Sequence, residues 1–543
     1  MTNYFIKNNT FKLIFFSVLA FALFTVFLIF SGYFEIGLMS DDYMNFISAE
    51  SSTLKQKLAS SIPYYSNLHF RPIWFLSINF SIWLNNFFGA AKDNFILFRI
   101  ENLLLLYIIV FLSSYLFLKI SKRLILSYAL ILLCMLYPNN INDICWTIGK
   151  VDLLCGIFML VSLIYTFLYL EKKSVLKLIL AFTFFVLSLF TKETSVILPF
   201  ITMALIYISL GKEKISRLKH LIAIEFMILL MYTLVRVYVI GIYPSEVVTT
   251  FQAPGLFSIL SVSFKAFIAL IIPYDYLSLQ NNLESQNIIF ILYLLLLIIF
   301  LVTTIFILVR TNNLKYLFYL ALIFMISIAP NLIAGYFRPQ LILIPYLFFY
   351  LSLFIIISKI SFSLKFYKII LPVLFLFYLL LNFNLIKDWQ YAYQNSVVTI
   401  ENLIDLNPDK SKKNIVLGLP SRFSQAHMLE YATGPYNFRK YGEFKLQEKI
   451  YDFIHTGSLD TSSLSSELLI KEIGDREYEL ETSGDSQYFL KLDGNISKYK
   501  DQDVIIKLSG KNSFRKFTKM YLKIISDKAN VYLLNGKNFI QLY

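Results

Sequence analysis

The residues of this chain that could do chemistry are few, and they gather at the ends of long apolar runs. Asp41-Asp42-Tyr43 follows the first of those runs. An acidic pair can take a proton from a hydroxyl or ligate a divalent cation, Mg or Mn, and it can also be a solvated loop pair. Adjacent side chains of an extended loop point to opposite sides, so one Asp would face a reaction while the other holds the loop. His69-Phe70-Arg71-Pro72 opens an aromatic stretch, where an Arg grips phosphate or snorkels to an interface. In Trp146-Thr147-Ile148-Gly149-Lys150-Val151-Asp152, Trp146 and Lys150 are four apart and share a face if the segment is helical. Lys192-Glu193 fills a tight turn between two short apolar runs, and Tyr336-Phe337-Arg338-Pro339 separates two more.

Five loops thus supply Asp41, Asp42, Arg71, Lys150, Asp152, Lys192, Glu193 and Arg338. The cations Arg71, Lys150, Lys192 and Arg338 suit a phosphate, and the Asp41-Asp42 pair suits activation of a hydroxyl. His69, Trp146, Asp152 and Glu193 would support them. Such a cluster beside apolar helices fits a substrate with a phosphate head and a polyisoprenoid tail. The cysteines Cys134, Cys145 and Cys155 lie in or beside apolar runs, with no zinc spacing and none in the C-terminal part to build a disulfide framework.

The elements that must position these residues are membrane helices. A hydrophobic fraction of 57% and a mean hydropathy of +0.64 exceed what one soluble core can absorb. Apolar segments fall at roughly 13–33, 95–118, 124–138, 152–170, 177–191, 194–210, 221–241, 288–309, 316–333, 340–358 and 369–386, which predicts eleven transmembrane helices. Lys7 and Lys12 precede the first, which is long for a signal peptide and reads as an uncleaved helix. The short pair 177–191 and 194–210 meets at a charged turn, which implies a cavity below the membrane surface. Residues 71–83 and 256–272 are expected to lie as helices in the interface.

Alternate connections carry 17 Lys and Arg against 9 in the other set. The richer set is cytoplasmic by the positive-inside rule, with the N-terminus inside and the C-terminal domain outside. Trp74, Trp83, Trp146 and Trp389 then fall on the outer side, as interfacial anchors would. Residues 1–386 hold 27 basic against 15 acidic residues and 387–543 hold 22 against 20, so the excess sits in the membrane half and argues against nucleic acid as a partner. Residues 387–543 form the second domain, with a helix over 388–405 and alternating runs at 414–419, 467–473, 477–482, 487–492, 503–508 and 520–525. That pattern predicts an α/β or mostly β extracytoplasmic domain after an all-α polytopic membrane domain.

These motifs resemble the GT-C superfamily of membrane glycosyltransferases, and most of all the protein O-mannosyltransferases and TMTC-type enzymes. An acidic pair after the first helix is matched by Asp41-Asp42, and an Arg-Pro before an aromatic amphipathic helix by Arg71-Pro72. A Trp-x-x-Gly-Arg-x-Asp-Leu-Leu motif is matched by Trp146 through Leu154, with Lys150 in place of Arg. A Lys-Glu turn leading to a Pro is matched by Lys192-Glu193 and Pro199, and a late Arg before a helix loosely by Arg338-Pro339. The acidic pair departs from the family's Asp-Glu, and a compact outer domain stands in place of tetratricopeptide repeats or a MIR domain. The resemblance implies transfer of a sugar from a polyprenyl-phosphate donor to an acceptor glycan, lipid or protein, with an Asp as base and inversion at the anomeric carbon. The Lys-, Asn-, Ile- and Phe-rich composition is that of an AT-rich bacterial genome, which points to a bacterial inner or cell membrane. Two other classes compete: a secondary transporter, which calls for an inverted repeat and broken helices that the sequence does not display, and a non-catalytic envelope-assembly scaffold.

Overall fold

The computed structural model describes residues 2–39, 41–53, 56, 70–88, 95–211, 219–240, 255–271, 288–310, 313–334, 339–360, 365–406, 411–423, 426–429, 435–436, 439, 451–454, 457–459, 468–482, 487–489, 498–500, 502–512, 516–535 and 538–542. By packing, the chain divides into two units. The first comprises Met1–Tyr33, Ser52–Asn85 and Leu97–Leu385; the second comprises Phe34–Ser51, Asn86–Ile96 and Ile386–Tyr543.

The first unit is helical, and each of the eleven expected apolar segments lies on a helix. Seven helices among the described residues are long and apolar enough to cross a membrane, or eight if a bent pair counts as one span. The first, Thr2–Ser31, is apolar on all sides from Leu13 on and leaves Phe15, Leu23 and Phe30 exposed, as a helix facing lipid does. Its hydroxyls stay satisfied because Ser17, Thr25 and Ser31 each donate to the carbonyl four residues back.

The bent pair is Leu124–Leu136 and Asn139–Cys145, which meet at 58°. Pro138 drives the break: a residue before proline avoids the helical region, and Tyr137 sits at φ −59°, ψ 118°. The carbonyls freed there find new donors, Asn140 Nδ2 to Cys134 O at 2.6 Å and Asn382 Nδ2 to Leu136 O at 3.0 Å. The Tyr137 ring stacks on Tyr346 at 4.3 Å. The apolar run 124–138 is therefore followed at once by a second, polar helix, Asn139–Cys145, where the sequence marks no apolar segment. The two stretches read as interfacial are helices, Pro72–Phe87 and Leu256–Ile271.

Two sequence expectations need correction in this region. The segments 369–386 and 388–405 are one continuous helix, Lys365–Asp405, because a change from apolar to polar residues does not by itself end a helix. Trp74 and Trp389 are buried at 2% and 0% exposure and serve as core residues, whereas Trp83, 55% exposed, keeps the character of a surface anchor.

The second unit carries two sheets. In the first, the order is Asn538–Gln541, Ala529–Asn535, Lys413–Leu417, Tyr451–Ile454, with Lys413–Leu417 parallel to both neighbours. Asn414 and Asn530 face each other in that register, and Asn530 Nδ2 donates to Asn414 Oδ1 at 3.0 Å, which penalises a one-residue slip. The second sheet is mainly antiparallel, built around Lys516–Ile524 between Val504–Asn512 and Glu477–Thr482. Ile415, Leu417, Val531 and Leu533 share one apolar core with Leu480, Ile506, Met520 and Leu522. The domain is thus a mixture of parallel and antiparallel sheet.

Candidate functional site

In the first unit, the Asn139–Cys145 helix ends against Ile96–Ser121. Arg99, fully buried, donates from Nη1 to the carbonyls of Ile144, at 3.1 Å, and Cys145. One turn on, Asn102 Nδ2 reaches the carbonyls of Trp146 at 3.1 Å and Thr147 at 3.2 Å. The Tyr33 hydroxyl donates to Ile144 O at 3.1 Å. These groups satisfy carbonyls that a helix end leaves open, and so they fix the backbone of the Trp146–Lys150 turn. Trp146 itself is extended at φ −88°, ψ 111°, with a 3-10 turn over Thr147–Gly149, so Trp146 and Lys150 do not share a helical face.

Each described cation of the expected set is paired with a carboxylate. Lys150 is fully buried, with Nζ 3.1 Å from Glu101 Oε2 and a second bond to Ser81 Oγ. Lys192 Nζ lies 2.6 Å from both oxygens of Asp152, and both side chains are buried. Arg71 is bidentate on Glu193, Nε to Oε2 at 2.7 Å and Nη2 to Oε1, and its guanidinium also lies 5.7 Å from the Trp74 ring. Lys192 has extended backbone at φ −154°, ψ 136°, which sends Lys192 and Glu193 to different partners.

Glu101 and Asp143 take part although the sequence does not mark them. Glu101 reads as an ordinary charge in an apolar run, and only the fold brings it to Lys150. Asp143 is buried at 1% exposure, and its Oδ1 has no hydrogen-bond partner among the described residues. The charges of Asp152 and Lys192 act on it. Gly149 packs against its backbone, where an added Cβ would stand 2.5 Å from the Asp143 carbonyl oxygen. Oδ1 of Asn102, on Ile96–Ser121, and Oγ1 of Thr147, in the turn, are also buried without partners among the described residues.

In the second unit, Asp41 and Asp42 begin a helix, Asp41–Ser51, where the sequence reading expected an extended loop. Asp42 is fully buried and its Oδ2 accepts the Met39 N–H at 3.0 Å, so this carboxylate holds the helix start. The side chain of Asp41 lies outside the described residues, as do His69 and Arg338 entirely. Among the described residues no group of three or more His, Cys, Asp or Glu stands together for a metal ion.

No protein-family model matches this chain, and no curated protein matches it either.

Proposed function

We propose that this chain is a multi-pass membrane glycosyltransferase that moves a sugar from a polyprenyl-phosphate carrier to an acceptor glycan, lipid or protein on the extracytoplasmic face. About eleven spans, an inside N-terminus and an outside C-terminal domain complete the reading. The observation that carries it is the ionic cluster of the first unit: Arg71–Glu193, Lys150–Glu101, Lys192–Asp152 and the buried Asp143 oxygen that has no partner among the described residues. Ionisable groups set among apolar helices are costly, and substrate pathways are where such groups are kept. Arg71 offers its planar fork to a carboxylate in the geometry that also takes phosphate, and Glu193 is the most exposed acid of the three pairs at 34%. A donor phosphate would bind by exchange with Glu193. Arg338 is expected to contribute a second fork. Asp41 is the favoured base, because Asp42 is occupied by the backbone of Met39.

In the reaction, the acceptor hydroxyl loses its proton to the Asp carboxylate while its oxygen attacks the anomeric carbon. The bond to the carrier phosphate breaks with its electron pair remaining on the phosphate, and the anomeric centre inverts. No metal-dependent step is needed for that balance.

One observation favours a second reading. Every described cation of the cluster already has a carboxylate, which is what a non-catalytic envelope-assembly scaffold would require of it. Transfer from polyprenyl-phosphate sugars in detergent separates the two. Wild type should transfer, Arg338→Ala should lose donor affinity, and Arg338→Lys should recover little of it. Absence of transfer from any such donor favours the scaffold, and equal activity in all three proteins removes Arg338 from the site.

A further inference from the structure

In the second unit, the helix that begins with the acidic pair comes up against the C-terminal part of the chain around Arg439. Arg439 lies beyond the first strand of that domain, and its Nη2 donates to the Tyr393 hydroxyl at 3.3 Å. Tyr43, the residue after Asp42, faces the same recess, and the Arg439 guanidinium acts on its hydroxyl there. Its Nη1 stands 3.7 Å from Glu401 Oε1, so the guanidinium links Tyr393 to a carboxylate in the recess that Tyr43 also lines. Tyr393 and Glu401 lie on the Lys365–Asp405 helix, and Tyr43 lies on Asp41–Ser51.

The surroundings make this junction tight. Tyr43 is 3% exposed, and burial pushes its hydroxyl well above the ordinary phenol range, with Arg439 opposing the shift. The Tyr393 ring lies against Gly37, where a Cβ would run into it. Gln390 Nε2 donates to Glu35 Oε2 at 2.9 Å, a second tie between the long helix and the segment leading to Asp41. Arg439, Tyr43, Tyr393, Ser396, Met39 and Met428 line one recess. Arg presents several donors in a rigid fork, so one guanidinium can hold both hydroxyls and the carboxylate in a fixed arrangement.

We propose that Arg439 is a positioning residue, holding the Asp41–Ser51 helix through Tyr43 so that the C-terminal domain is a working part of the catalytic unit. This rests on the reading of Asp41-Asp42 as the base. Arg439 touches no reacting atom in it; it acts by restricting the helix that carries the acids. A displacement of about 1 Å at a base can cost about a hundredfold in rate, which sets the scale.

The test uses the full-length protein in detergent, with Arg439→Ala, Arg439→Lys, Tyr43→Phe and the Arg439→Ala/Tyr43→Phe double variant. Hydrogen–deuterium exchange over residues 41–51 reads the restraint without any substrate, and transfer kinetics read its consequence. Arg439→Ala should speed exchange there about tenfold, because local opening becomes easier, and should lower kcat about 10–100-fold with donor KM within about twofold. Arg439→Lys should restore part of both. The double variant should equal the worse single variant, since both changes break one connection. Unchanged exchange in Arg439→Ala, or fully additive effects in the double variant, overturns the proposal. A wild type that transfers nothing, with the exchange response intact, sinks the transferase reading and leaves the restraint established.

Discussion

Replacing Lys150 by Met tests whether the buried charges hold the helices of the first unit together. The Lys150 ammonium is fully buried, 3.1 Å from a Glu101 carboxylate whose side chain is 18% exposed. At an effective dielectric of about 20, charges at that separation attract by about 5 kcal/mol before desolvation is subtracted. Truncating one partner of a buried pair costs about 3–5 kcal/mol, because the other charge stays behind without compensation. Ser81 cannot replace the lysine, since its hydroxyl already bonds Glu101 and the Ser77 carbonyl. Lys150→Met should therefore destabilise by about 3–5 kcal/mol. Lys150→Arg keeps the charge but forces a larger head into a filled site, for about 1–3 kcal/mol. The Lys150→Met/Glu101→Leu double variant removes both charges, leaves Ser81 its Ser77 partner, and should return to within about 1 kcal/mol of wild type. Equilibrium unfolding in mixed micelles with rising SDS fraction measures all four proteins. A Lys150→Met variant within about 0.5 kcal/mol of wild type, or a double variant no more stable than Lys150→Met, would refute the buried pair.

Three further outcomes are expected. Asp41→Asn should lower transfer about 10²–10⁴-fold at unchanged thermal stability, whereas Asp42→Asn should chiefly weaken the helix start, and the reverse pattern exchanges their roles. Gly149→Ala should cost about 1–3 kcal/mol, because its Cβ meets the Asp143 backbone and not a movable side chain; a neutral result in thermal unfolding means that the turn yields. Lys523 donates to Glu477 at 2.6 Å, holding the carboxyl below the usual glutamate range while its own ammonium is pushed up. Stability from the depressed carboxyl is present at neutral pH and lost as pH falls through its lowered value. Stability from the raised ammonium is present below the ordinary lysine range and lost as pH rises through its elevated value. Amide exchange over Glu477–Thr482, corrected for intrinsic rate, should then be flat between about pH 5 and 9 and rise on either side, and Glu477→Gln should abolish the acid arm.

Much of the helical unit is legible in the sequence, because a bilayer-length apolar run admits few alternatives. The Lys192-Glu193 turn is legible for the same reason: nothing but a break explains two opposite charges between short apolar runs. Glu101 is not, since its partner is 49 residues away and only the packing of two helices brings them together. Asp143 is hidden by its polar surroundings, Asn139-Asn140-Ile141-Asn142, which read as a loop and fold as a buried helix after Pro138. Strands Glu477–Thr482 and Leu468–Gly474 announce themselves by alternation. Ala529–Asn535 does not: it is buried along nearly its whole length, so the alternation that marks a half-exposed strand is missing. Arg439 lies in a stretch with no periodicity, and only the fold relates it to Tyr43.

The extended peptide at Lys192 also limits the routes by which this chain can change. Lys192 answers Asp152, and Glu193 answers Arg71. Exchanging the two letters would leave length, net charge, hydropathy and every residue count as they are. It would nevertheless set a carboxylate against a carboxylate on one side and a cation against a guanidinium on the other. Reversing either charge alone already creates one such clash in a poorly hydrated place. The dipeptide therefore behaves as a parity bit: two opposite charges read by two different partners, Asp152 on a helix and Arg71 just before one, correct in one order only. The reversed order sets like charges together on both sides, and any measure that counts residues without their order is blind to the difference.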